Sequence, residues 1–197
     1  MTFDDLIGSQ RVMAILRGRP AGETVAVAGK LWDAGVTVLE VPIGSPDAVP
    51  ALRAAVDAAR ERGLLVGAGT VITAEQVRAA AEAGARYTVA PGFDPLVLAA
   101  SLAAGLPHLP GVGTATEVQR AWLAGCRWLK AFPAAALGPA WISGLRGPFP
   151  DVNFVATGGL RVADASTFLA AGARVVALGA ALADPRQRDE IGKLLAS

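Results

Sequence analysis

Lysine is scarce in this chain. Of its 197 residues only Lys30, Lys130 and Lys193 are lysines, and only Lys130 sits inside an apolar run, Trp128-Leu129-Lys130-Ala131-Phe132. Lys30 falls on a helical stretch and Lys193 near the C-terminus, both ordinary surface placements. Burying an ammonium group is costly unless it is paired or gives up its proton. Desolvation lowers a lysine pKa and frees the amine to attack a carbonyl carbon. Glu40 is set in the same way, within Val38-Leu39-Glu40-Val41-Pro42. A buried carboxyl with a raised pKa suits general acid–base work. Two readings of the couple stand side by side: a nucleophile with its proton shuttle, and a structural ion pair that shares the same inward orientation.

Other polar residues end apolar runs. Arg17 closes Ala14-Ile15-Leu16-Arg17; its guanidinium could hold a carboxylate through two parallel hydrogen bonds, or simply be solvated in a loop. Gly67-Ala68-Gly69-Thr70 offers close backbone approach and a hydroxyl, and Thr157 precedes Gly158-Gly159. His108 reads as a satisfied strand residue, and Cys126 and Trp122 as packing residues. With one histidine and one cysteine in the chain, a histidine-cluster metal site is excluded, since protein zinc usually takes three or four such ligands. No metal is expected.

Formal net charge is +1, with no basic block or stripe, which argues against a nucleic-acid partner. A lone cysteine allows no intramolecular disulfide and fits a cytoplasmic setting. Residues 1–10 lack the basic-then-apolar pattern of a signal peptide. No apolar run approaches the ~20 residues needed to span a bilayer, so no membrane partner is expected.

The elements that must carry these residues follow a repeated pattern. An Ala-rich amphipathic stretch ends in a glycine (Gly35, Gly63, Gly84, Gly105, Gly125, Gly172), and a short apolar run follows. Glycine just past a helix takes the left-handed conformation without penalty. The apolar runs predict eight strands, at 11–17, 37–43, 64–69, 86–91, 107–112, 128–132, 153–158 and 174–179. Helices are predicted at 22–34, 46–62, 74–83, 95–104, 115–124, 139–145, 163–171 and 180–195, with a short leading helix at 3–8 that could plug one end. Pro46, Pro95 and Pro139 suit first-turn positions, and Thr73 and Asp94 are N-cap candidates. Strands this apolar, alternating with helices, belong to a covered parallel sheet. The eightfold count favours closure into an α/β (β/α)8 TIM barrel over an open sheet, as one domain spanning 1–197. Barrels of this type usually run to about 250 residues, so the loops must be short. Working residues of such barrels sit at the C-terminal strand ends. Here those ends carry Arg17, Glu40, Thr70, Pro91-Gly92, Lys130, Thr157 with Gly158-Gly159, and Gly179-Ala180.

Taken together and in order, these strand ends resemble a known family. The segments Ala14-Ile15-Leu16-Arg17-Gly18, Leu39-Glu40-Val41-Pro42, Gly67-Ala68-Gly69-Thr70-Val71, Ala90-Pro91-Gly92, Leu109-Pro110-Gly111, Leu129-Lys130-Ala131-Phe132-Pro133 and Thr157-Gly158-Gly159 resemble those of the aldolases that cleave 2-keto-3-deoxy-6-phospho-sugar acids, the phosphogluconate and phosphogalactonate aldolase family. The resemblance covers nearly the whole chain. It implies a retro-aldol reaction that releases pyruvate through a Schiff base on Lys130, with Glu40 moving protons. Arg17 and Thr70 would hold the pyruvate carboxylate, Phe132 would pack on the pyruvyl part and Pro91 would shape the wall. It implies no metal or organic cofactor, and a homotrimer. Trp32, Trp122 and Trp141 read as helical and hence outward-facing; they would need cover, from a partner subunit or from neighbouring helices.

Departures from the family pattern are informative. Phosphogluconate relatives carry arginine where this chain has Gly44, whereas Arg17 and Ile43-Gly44-Ser45-Pro46 are more similar to the phosphogalactonate branch. Ala180-Ala181 replaces a Gly-Ser pair whose hydroxyl belongs to the phosphate pocket, and Ala134-Ala135 replaces polar residues. The main-chain amides of Gly158, Gly159, Gly179 and Ala180 remain available to a phosphate. Arg161, at the start of the seventh helix, is expected to replace the lost hydroxyl in part. The same chemistry on an unphosphorylated 2-keto-3-deoxy or 4-hydroxy-2-keto acid is the alternative. A phosphate-binding barrel with a purely structural Lys130–Glu40 pair is a second.

Overall fold

A strand with one inward face alternates its side chains with a period of two, and this period places the chemistry. In the computed structural model, which describes residues 2–184, 186, 187, 190 and 191, the strands are β1 (Val12–Ile15), β2 (Val38–Pro42), β3 (Val66–Gly69), β4 (Thr88–Val89), β5 (His108–Leu109), β6 (Gly111–Val112), β7 (Trp128–Ala131), β8 (Asn153–Thr157) and β9 (Val175–Leu178). All pairings are parallel, and the order is β5-β4-β3-β2-β1-β9-β8-β7-β6. The two ends of that order are halves of one predicted strand. Pro110, which has no N–H to give a ladder, separates them. Its carbonyl still accepts from Lys130 N at 2.8 Å, and Gly111 N donates to Gly92 O at 3.2 Å. The sheet therefore comes round on itself, as the (β/α)8 reading expects.

The helices are α1 (Phe3–Ile7), α2 (Ala21–Asp33), α3 (Val49–Glu61), α4 (Ala74–Glu82), α5 (Pro95–Ala103), α6 (Ala115–Leu123), α7 (Ala134–Leu137), α8 (Pro139–Arg146) and α9 (Ala165–Ala170). Thr73 and Asp94 cap α4 and α5 through their side chains. The stretches predicted at 46–62 and 163–171 each open with a 3-10 turn, Pro46–Ala48 and Val162–Asp164, before the α-helix. Helix α7 was not expected. The predicted helix 180–195 begins as a 3-10 turn, Ala180–Ala183, and much of the rest lies outside the described residues.

Two apolar layers result. One lies between sheet and helices. The other fills the barrel interior and includes Met13, Ile15, Val38, Tyr87, Val89, Trp128, Val155 and Val175. Helix α1 closes the N-terminal end of the interior. Phe3 meets Tyr87 edge-on with centroids 5.6 Å apart, and Trp128 Nε1 donates to Asp4 Oδ1 at 3.2 Å. A capping box between Thr2 and Asp5 holds α1. Counting two residues along β2 and β7 from interior-facing Val38 and Trp128 reaches Glu40 and Lys130, which therefore face the same interior nearer its open end.

His108 is buried; its Nδ1 pairs with Thr88 Oγ1 at 2.8 Å, and burial pulls its pKa down to about 4. Its Nε2 has no partner, so the satisfied strand histidine is satisfied on one side only. Cys126 is buried too, with its thiol pushed up to about 11. The tryptophans are covered from within the chain. Arg62 lies over Trp32 at 5.5 Å and Arg127 over Trp122 at 5.1 Å, and Trp141 meets Phe154 at 5.6 Å. The large apolar side chains exposed among the described residues are Ile72, Leu96, Leu102 and Leu123.

One glycine fixes the depth of the interior. A Cβ on Gly67 would lie 2.1 Å from Tyr87 Cε2. Tyr87 cannot retreat without breaking its hydrogen bond to Leu39 O. Gly67→Ala is expected to lower stability by about 1–3 kcal/mol or more, as overpacking does. Denaturant unfolding should show most of that cost vanishing in a Tyr87→Ala background. An equal cost in both backgrounds would place the constraint elsewhere.

Candidate active site

Lys130 and Glu40 come to the open end of the barrel from opposite parts of the sheet order, on β7 and β2. Both are buried, at 4 % and 1 % exposure. Lys130 Nζ stands 4.0 Å from Glu40 Oε1. That is too long for a hydrogen bond, and neither carboxylate oxygen has any hydrogen-bond partner. Burial raises the Glu40 pKa, while the charges of Lys130 and then Arg17 restrain it. The couple is thus desolvated and incompletely satisfied. Such a state is costly in a protein interior, and it leaves the groups free to meet an incoming molecule.

Gly69, at the end of β3, makes room for the acid: a Cβ there would lie 2.8 Å from Glu40 Oε1. On the other side, the Phe132 ring lies 5.2 Å from Lys130 Nζ. A cation over an aromatic face is attracted by the ring quadrupole.

A cavity of about 630 Å³ opens above the couple, lined in part by Lys130, Phe132 and Pro91. Arg17 and Thr70 form one side of it, with Arg17 Nη2 donating to Thr70 Oγ1 at 3.0 Å. Thr70 has φ 59°, unusual for a β-branched residue and a strain that tends to be kept where it serves a site. Gly44 abuts Thr70, and a Cβ there would meet Thr70 Cγ2 at 3.3 Å. The guanidinium that meets Thr70 arrives from the loop after β1, as Arg17, rather than from position 44.

The other side of the cavity is backbone-rich. Thr157 ends β8 and Gly158 and Gly159 follow it, while Gly179 and Ala180 follow β9. Gly158 and Gly159 have φ of 102° and 74°. A Cβ on Gly158 would stand 2.9 Å from the Phe132 ring, so glycine is needed for space as well as for conformation. Thr157 turns its hydroxyl to Val155 O at 3.3 Å.

Arg161 is not brought into this group. Its Nη2 and Nε donate to Asp164 at 2.8 and 3.2 Å, and Asp164 also accepts from its main-chain N at 2.9 Å. The cation expected there for a phosphate is committed to an exposed cap of the Val162–Asp164 turn. The residue that sequence reasoning missed is Arg19, which does line the cavity. The available signal was its place two residues beyond Arg17, in the loop leaving the first strand. Among the described residues no group of three or more His, Cys, Asp or Glu side chains could hold a metal, and no helix is long and apolar enough to cross a membrane.

Chemically, the arrangement offers a buried amine, an acid close enough to move protons around it, a guanidinium and hydroxyl to one side, and main-chain groups to the other. Comparison with known proteins agrees with that inventory. The family described as KDPG and KHG aldolase matches residues 3–194. A probable 2-dehydro-3-deoxy-6-phosphogalactonate aldolase of Rhizobium meliloti (strain 1021) is 39% identical over 175 residues, 88% of this chain and 82% of that protein. The 2-dehydro-3-deoxy-6-phosphogalactonate aldolase of Escherichia coli (strain K12) is 37% identical over 87% of this chain and 83% of its own. The native KDPGal structure superposes with a TM-score of 0.84 at 33% identity, covering 94% of this chain and 92% of that one. A KDPG aldolase from Legionella pneumophila, with pyruvate captured as a covalent carbinolamine, superposes with a TM-score of 0.82 at 28% identity over 96% and 92% of the two chains. In sequence, in fold and over nearly its full length, this chain belongs to the KDPG and KHG aldolase family.

Proposed function

We propose that this chain is a class I aldolase that cleaves a 2-keto-3-deoxy-6-phospho-sugar acid, of phosphogalactonate or phosphogluconate type, to pyruvate and glyceraldehyde 3-phosphate. The observation that carries the reading is the desolvated Lys130 amine, which lines the cavity and stands 4.0 Å from the Glu40 carboxylate buried behind it. The neutral amine of Lys130 adds to the keto carbon, and loss of water from the carbinolamine leaves an iminium. Glu40, as carboxylate, takes the proton from the substrate hydroxyl. The carbon–carbon bond then breaks, its electrons pass into the iminium, and the aldehyde leaves. Protonation of the enamine and hydrolysis return pyruvate and the free amine. The iminium is the electron sink that makes cleavage feasible near neutral pH.

Arg17 and Thr70, already joined at 3.0 Å, hold the carboxylate of the pyruvyl half. Phe132 and Pro91 enclose it. Thr157 and the main chain of Gly158, Gly159, Gly179 and Ala180 form the wall along the tail. The reading extends to a cytoplasmic enzyme that works as a homotrimer, for which the exposed Ile72, Leu96, Leu102 and Leu123 supply apolar surface.

Four outcomes are expected. A coupled assay should detect pyruvate from phosphorylated 2-keto-3-deoxy acids in preference to unphosphorylated and 4-hydroxy-2-keto acids; no pyruvate from any of them would end the aldolase reading. Glu40→Gln should fold but lose about 10²–10⁴-fold in kcat. Because the working form of Glu40 is the carboxylate and burial raises its pKa above 4.5, kcat/KM should fall as pH drops through a value above 4.5, and Glu40→Gln should lack this acid limb. A limb unchanged in the variant would assign it to another group. Light scattering at micromolar concentration should return three times the 20.0 kDa chain mass; a monomer would refute the trimer.

A further inference from the structure

Two guanidinium groups line the cavity, Arg17 and Arg19, and they are placed differently. Arg17 turns to Thr70, beyond β3, and its charge bears on Glu40. Arg19 lies farther along the same loop, just before α2, and is not among the charges that act on Glu40. Its side chain is only 20 % exposed, yet its nearest acid, Glu23 Oε2, is 3.8 Å away and itself 65 % exposed. At that distance the contact is a weak, solvent-screened one. A largely covered guanidinium carries five donors and no acceptor of its own. Here none of them makes a hydrogen bond to a described residue, and Arg19 is one of the residues that line the cavity.

The sheet register says which part of the cavity this is. β1 runs beside β9, with Val12 opposite Val176 and Ala14 opposite Leu178. The loop after β1 is therefore the neighbour of Gly179 and Ala180, and Gly179 abuts Ile15 directly, with a Cβ built there 3.4 Å from Ile15 Cβ. Beyond them lie Gly158 and Gly159. So one cation marks the Thr70 side of the cavity, next to the reacting couple. A second, Arg19, lines the same cavity from farther along the loop that the β1–β9 pairing sets beside Gly179 and Ala180, where the chain provides no hydroxyl.

We propose that Arg19 is the specificity-determining residue for the far end of the substrate, binding its terminal phosphate together with the adjacent main-chain amides. The inference rests on the aldolase reading for what the rest of the substrate is, but not for the charge at this end. A guanidinium fork matches phosphate oxygens two at a time. In this chain it takes over from the missing hydroxyl, while Arg161 pairs with Asp164 and is not among the residues that line the cavity. A molecule with one anion against Arg17 and another against Arg19 would span the floor of the cavity, which orients its keto carbon toward Lys130.

The test uses the intact enzyme, Arg19→Gln and Arg19→Lys. Three substrates are compared through pyruvate release: one with a terminal phosphate, one with a terminal hydroxyl and one with a terminal carboxylate. Binding of inorganic phosphate is measured by calorimetry on the same proteins without turnover. The expected result is that Arg19→Gln lowers kcat/KM for the phosphorylated substrate roughly 10- to 100-fold relative to the hydroxyl substrate. The loss should fall mainly on KM, because the contact is made equally in ground and transition states. Inorganic phosphate should weaken in parallel, and Arg19→Lys should recover part of both. An unchanged preference and unchanged phosphate binding in Arg19→Gln would overturn the assignment, as would a wild type that prefers the terminal carboxylate. Failure of the aldolase reading looks different: wild type would release no pyruvate from any substrate, while phosphate binding would still report on Arg19.

Discussion

Holding an amine and a carboxylate 4.0 Å apart inside an apolar barrel is the constraint on which the rest of this structure depends. Each group gives up hydration on burial, and at this distance the two recover no hydrogen bond from each other, with both Glu40 oxygens unpartnered among the described residues. The surrounding fold must therefore impose the arrangement. It does so with a closed parallel sheet, whose period of two continues the interior columns of Val38 and Trp128 into Glu40 and Lys130, and with α1, which seals the opposite end through Phe3. An ion pair kept for stability alone would gain from closing to hydrogen-bond distance. The open geometry instead suits a couple whose partners must each reach a third molecule.

Glycines convert that constraint into shape. Gly69 admits the Glu40 carboxylate and Gly67 the Tyr87 ring, while Gly158 admits the Phe132 ring. In each case a single methyl group would occupy space now taken by a side chain that forms the floor of the interior or the site. Gly67 and Gly69 answer to close approach alone, a helix-ending glycine such as Gly35 answers to its positive φ, and Gly158 answers to both. The uses look alike in sequence and differ in backbone conformation and in what lies opposite.

Much of this was legible before any coordinates. Helix-ending glycines and apolar runs located every strand to within a few residues, because both signals are local. Lys130 and Glu40 stood out because a charge within an apolar strand has few benign explanations. What escaped was set by distant or very short-range partners. Pro110 splits one predicted strand into β5 and β6, although its carbonyl keeps the ladder continuous. Helix α7 spans four residues, too few to show periodicity. Arg161 looked available until Asp164, three residues on, was seen to take its guanidinium. Arg19 looked like any loop arginine because its relation to Gly179 and Ala180 comes from the β1–β9 pairing, which no local pattern encodes. What covers Trp32, Trp122 and Trp141 from within the chain escaped for the same reason: Arg62, Arg127 and Phe154 come from distant parts of the sequence.

The family match fixes the class of chemistry, and the coordinates assign parts to it. The open question is whether the buried amine carries the reaction. The most direct measurement is to incubate the enzyme with pyruvate, reduce with borohydride, digest, and locate the added mass by mass spectrometry. A stable adduct on the peptide containing Lys130, absent from Lys130→Ala, is the result this account predicts. An adduct confined to Lys30 or Lys193, or no adduct at all, would contradict it.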